Sequence, residues 1–125
     1  MKNYDHYKKI FDSLIDMHGN KIDSGIKEAV ILLNCHNIIT LGSCHGHINH
    51  GCDYPWIHVD ISSVDSLESM LSKAFKQPRF EIEKLCGEIG GKFVAGRLMP
   101  IKKELKSGRR YFKLFSEYLK NNSKP

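Results

Sequence analysis

The sequence predicts an α+β fold, a small mainly antiparallel sheet covered by helices in the order ααββαββα, within a single domain spanning residues 1–125. Three observations carry this. Residues 55–61 alternate apolar and polar side chains with period two, as a half-buried strand does. A second pair of strand-like runs, 79–85 and 92–99, flanks a glycine-rich turn and reads as a hairpin. Four further stretches place apolar residues at helical spacing.

Taken in order, Tyr4, Tyr7, Phe11, Leu14, Ile15 and His18 recur every three or four residues, and Gly19-Asn20 offers the positive φ that ends such a helix. Asp23 or Ser24 can cap a second helix, whose apolar face is Ile22, Ile26, Ala29, Val30 and Leu33 and whose end falls near Asn34. Asn37 to Leu41 has the β-branched content of a buried strand, with Gly42 closing it. In the strand from Pro55 to Ile61, Ile57, Val59 and Ile61 share one face, while Trp56, His58 and Asp60 share the other. Ser62 or Ser63 then precedes a third helix, Val64, Leu67, Met70, Leu71, Ala74 and Phe75, which Pro78 stops because proline has no amide to continue the ladder. After the hairpin, Tyr111, Phe112, Phe115, Tyr118 and Leu119 line one side of a last helix, residues 109–120.

At 125 residues and 41% hydrophobic content the chain has material for one core. No run approaches the roughly 18 consecutive apolar residues of a membrane span, and residues 1–11 lack the apolar core of a signal peptide. A cytoplasmic protein is expected. In that compartment thiols stay reduced, so the four cysteines read as buried residues, metal ligands or reactive thiols rather than a disulfide framework. The net charge of +5 is concentrated at the end of the chain: residues 97–125 hold nine Lys/Arg against two Glu. Clustered cations favour a polyanionic or phosphate-bearing partner, and also suit a solvated helix face.

Residues 33–61 contain five of the seven histidines and three of the four cysteines. Three chemistries compete for them. Gly42-Ser43-Cys44-His45-Gly46-His47 can form an anion-binding turn, in which glycines let backbone N–H groups converge on a phosphate. Trp56 and His58 would then flank a base or other planar ring, and Arg97, Arg109 and Arg110 would supply guanidinium forks to the anion. Alternatively, Cys44, His47, Cys52 and His58 follow C-x2-H-x4-C-x5-H, a permuted zinc-knuckle spacing, with Cys35, His45 and His50 as spares. In the third reading Cys44 is a nucleophile, His47 or His58 its base, and Asp60 orients the imidazole. For each of these residues a plain structural role, in a turn, a core or a strand's outer face, is the competing account.

The helix end Leu33-Asn34, the strand with Thr40, the motif Ser43-Cys44-His45-Gly46-His47 and the later Pro55-Trp56-Ile57 strand resemble the SCxGH-type small bacterial and phage proteins, largely of unknown function. They are more distantly similar to the third wybutosine-synthesis enzyme, a tRNA-modifying methyltransferase using S-adenosylmethionine. The likeness spans about residues 22–62 and rests on Ser43, Cys44 and Gly46, with His47 standing where the methyltransferase has arginine. It implies a shared fold and a nucleotide-like pocket, with S-adenosylmethionine as an alternative cofactor. The resulting expectation is a nucleotide or RNA binder without a resident cofactor, homo-oligomeric and away from membranes. A binder of this size suits sequestration of a nucleotide signal in phage counter-defence.

Overall fold

The computed structural model describes residues 3–12, 24–44, 54–87 and 90–122. In these, four α-helices pack against a four-stranded antiparallel sheet, as the sequence predicts. The elements are α1 (Tyr4–Asp12), α2 (Ser24–Cys35), β1 (Thr40–Cys44), β2 (Trp56–Asp60), a 3-10 turn (Ile61–Ser63), α3 (Val64–Ala74), β3 (Phe80–Cys86), β4 (Phe93–Pro100) and α4 (Leu105–Asn121). The strand order is β1-β2-β4-β3, so the chain leaves β2, crosses through α3 to the far edge, and returns by a hairpin into the centre.

Register decides which side chains share a face. Ile57 pairs with Leu98 and Val59 with Gly96, and this face meets the helices. There Ile57, Val59, Leu98, Phe112, Phe115 and Leu119 are wholly buried, with Phe80 edge-on to Phe112 at 4.8 Å between ring centroids. Burying one such phenylalanine contributes roughly 1.5–3 kcal/mol. Helix α2 is apolar nearly all round, because α1 and α4 both pack on it: Ile26, Ala29, Val30, Ile31, Leu32 and Leu33 are all buried. The opposite face presents Trp56, His58, Arg97 and Met99, and no described helix covers it.

Several boundaries differ from expectation, each for a local reason. The first strand is Thr40–Cys44, not 37–41. His36 and Asn37 instead finish α2 in a Schellman turn: the Ile38 amide donates to the Leu33 carbonyl at 2.9 Å, the Asn37 amide to Asn34 at 3.0 Å, and Asn37 takes φ 66°. Ile38 is the buried apolar residue that closes the motif. Gly42 consequently lies inside the strand, just past a register shift between Thr40 and Gly42. The third helix ends at Ala74, before Pro78, because Phe75 turns extended (φ −130°, ψ 125°) and packs on Phe80 and Phe115 at 5.8 and 6.1 Å.

Ser63 occupies the N-cap position of α3 without capping it; its hydroxyl accepts from the Ile39 amide at 3.0 Å. The last helix starts at Leu105, four residues earlier than expected. Gly108 lies in its first turn, where a Cβ would come within 2.6 Å of Pro55 and 3.1 Å of Pro100. The expected continuation of α1 to His18, the Gly19-Asn20 stop and Asp23 lie outside the described residues.

Candidate functional site

Strands β2 and β4 build the site. His58 and Arg97 are direct partners in their ladder, so both side chains leave the same face. Arg97 donates its Nε–H to His58 Nε2 at 2.9 Å. Two residues back along β2, Trp56 stacks on His58 with centroids 4.1 Å apart and planes 26° from parallel, and the Arg97 guanidinium lies 5.3 Å from the indole. Burial first, and then the guanidinium, push His58 down to about 4, so the imidazole is neutral at pH 7. With Nε2 accepting, its proton is on Nδ1.

Arg97 has no carboxylate partner among the described residues, although Glu83 stands directly opposite it on β3. Among the described residues no partner engages its Nη groups. Trp56 is only 3% exposed, and its indole N–H is buried without a hydrogen-bond partner. Met99 and Tyr54 pack beside it, and Lys103 lies 5.5 Å from the Tyr54 ring while pairing with Glu81. Met99 and Tyr54 escaped the sequence reading; the position of Met99, two after Arg97 on one strand, was the signal that could have found it.

Of the residues singled out from sequence, the structure therefore joins Trp56, His58 and Arg97. It separates others. Trp56 and His58 do not flank a ring-sized gap: at 4.1 Å they already touch, whereas an intercalated planar ring needs about twice that spacing. Ser43 pairs with Ile57, which puts it on the helix-covered face, where it is buried. Arg109 and Arg110 belong to α4, which packs against that same face. Gly42 faces His58 and Cys44 faces Trp56 in the β1–β2 ladder. His45, Gly46, His47, His50 and Cys52 lie outside the described residues.

The other two chemistries find less support around His58. Asp60 does not orient the imidazole, because its carboxylate caps the 3-10 turn, accepting from the Ser62 amide at 3.0 Å and the Ser62 hydroxyl at 2.5 Å. Those bonds hold Asp60 below the usual carboxylate range. A neutral imidazole whose Nε2 is engaged by a cation is a poor base for a thiol near pH 7. The same engagement sets a positive charge where a zinc ion would need the His58 lone pair. Among the described residues no group of three or more His, Cys, Asp and Glu is placed to hold a metal. Cys35, one of the spares, ends α2 buried, and burial raises its thiol.

No described helix is long and apolar enough to cross a membrane. Compared with known proteins, the chain matches no family model, no curated protein and no solved structure.

Proposed function

We propose that the protein binds a phosphate-bearing, nucleotide-type ligand on the helix-free face of the sheet, with Arg97 as its principal anion contact. The observation that carries this reading is a half-buried guanidinium held in place by a neutral acceptor and an indole, yet given no carboxylate by the described residues. A cation kept only for stability is normally paired; one whose fork stays open suits a bidentate oxyanion. His58 fixes the rotamer through Nε, and the two Nη groups meet the phosphate. The base rests beside the Trp56–His58 stack rather than between its rings.

Chain connectivity supports a role for the glycine- and histidine-containing segment. Residues 45–53 join Cys44 to Tyr54, and Cys44 is the ladder partner of Trp56. Gly46 and His47 therefore follow within three residues of the position opposite Trp56. Capture of a nucleotide-derived signal is one setting for such a binder, and homo-oligomerisation belongs to the same proposal, with sedimentation velocity as its readout.

Thermal shift against nucleoside mono-, di- and triphosphates, cyclic dinucleotides and S-adenosylmethionine tests the reading. A phosphate ligand should raise the melting temperature of the wild-type protein and leave Arg97→Gln unmoved. No shift with any phosphate ligand, or an equal shift in the variant, would count against it.

A further inference from the structure

Helix α4 carries a second basic surface, on the side of the molecule away from Arg97. Its buried residues, Gly108, Phe112, Phe115, Ser116 and Leu119, face the core. Diametrically opposite run Lys106, Arg110, Lys113, Glu117 and Lys120, spaced four, three, four and three residues apart and all exposed. Cations at the ends of this region are paired, Lys102 with Glu104 at 3.8 Å and Lys120 with Glu28 at 3.9 Å. The three between them are not: Lys106, Arg110 and Lys113 make no ion pair or hydrogen bond with any described residue.

We infer that this stripe is a docking surface for the sugar-phosphate backbone of a single-stranded RNA. Charge complementarity selects a polyanion, and the three cations in line along one helix face suit the backbone of a single strand. Lys106 and Lys113 are separated by about 10 Å of helix rise, long enough to meet more than one phosphate of a single extended strand. An anionic bilayer would meet the same charges, but three cations hold a helix to it only weakly without an apolar face to insert. The apolar face of α4 is consumed by the core, and Leu114, 39% exposed, is the large apolar residue left on its outer side. The stripe contacts phosphate only, so binding here is independent of base sequence and strongly dependent on salt. This surface needs neither Arg97 nor His58, and it stands if the mononucleotide site fails.

The test is fluorescence anisotropy of a labelled oligouridine of about 20 nucleotides, titrated with the full chain at several potassium chloride concentrations. Wild-type protein is expected to bind with an affinity that falls steeply with salt. Combining K106A, R110A and K113A is expected to weaken binding at least about tenfold at low salt and to flatten the logarithmic salt slope by about 2, from roughly 0.7 per phosphate on a single strand. A control combining K9A, K73A and K92A removes the same formal charge elsewhere and should retain tight binding. Equal weakening in the control, no binding by the wild type, or binding to vesicles containing phosphatidylserine without binding RNA would each overturn the assignment.

Discussion

Arg97 gives its Nε–H to Nε2 of His58 across the β2–β4 ladder, so a histidine faces a permanent cation as an uncharged acceptor. Protonating His58 would break that bond and set two positive charges side by side. Burial first, and the guanidinium second, hold His58 near 4 in the folded state, against about 6.5 in the unfolded chain. Between those values the unfolded chain binds more protons, so stability rises with pH; the contribution is complete above about pH 6.5 and is lost as pH falls toward 4. Urea unfolding at about pH 7.5 and pH 4.5 should show the wild type losing on the order of 1–3 kcal/mol more than His58→Gln over that interval. A parallel pH dependence in the two proteins would place the loss in other groups.

Removing the cation should raise the imidazole's proton affinity only partway. In Arg97→Gln the guanidinium's repulsion disappears, but burial, the larger of the two causes, remains. An NMR titration of the His58 ring should give a midpoint above that of the wild type and still below about 6.5.

Gly108→Ala should destabilise the protein even though alanine is the better helix former by about 1 kcal/mol. The added methyl would meet Pro55 at 2.6 Å and Pro100 at 3.1 Å, and both are ring atoms backed by the sheet. A net loss of about 1–3 kcal/mol in chemical denaturation is expected. A stabilised variant would mean that the seam between α4 and the sheet is loose.

At Asn37 the sign reverses between two substitutions. Its φ of 66° suits glycine and opposes a β-carbon, so Asn37→Gly should be neutral or stabilising, whereas Asn37→Ala should cost about 1 kcal/mol. Denaturation midpoints of the pair settle whether the Schellman turn keeps this geometry in solution.

Phe112 is fully buried between α4, Phe80 and the sheet. Truncation to alanine should cost about 3–5 kcal/mol, enough to leave a domain of this size marginal. A loss under about 1 kcal/mol would require the core to collapse around the missing ring.

Much of this architecture is legible without coordinates, because burial leaves a period. The alternation of 55–61 and 79–85 and the heptad-like spacing of Phe112, Phe115 and Leu119 each reflect one buried face. Errors arose where two local preferences compete. Ile38, Ile39 and Thr40 are β-branched and look like strand, yet Asn37 and Ile38 serve the end of α2. Gly108 is a poor helix former just before the expected start at 109, yet the neighbouring prolines demand its missing side chain within the helix.

The site was half legible for a different reason. Trp56 and His58 lie two apart on one strand, so their shared face follows from period two. Arg97 joins them only through register, and Ser43 departs from them only through register. Pairing across a sheet depends on how strands slide, which no single strand records.

The crossover between β2 and β4 has a kinetic meaning. The β3–β4 hairpin is local, but the ladder that brings His58 to Arg97 joins residues 39 apart in sequence, with α3 and the whole far edge between them. Contacts separated so widely in sequence are slow to form, because the chain must surrender the entropy of a long loop before any bond rewards it. A chain with a nascent hairpin and helices therefore lacks the pair altogether. Any ligand that recognises it distinguishes finished domains from partly folded ones, and its binding energy opposes global unfolding rather than local fraying.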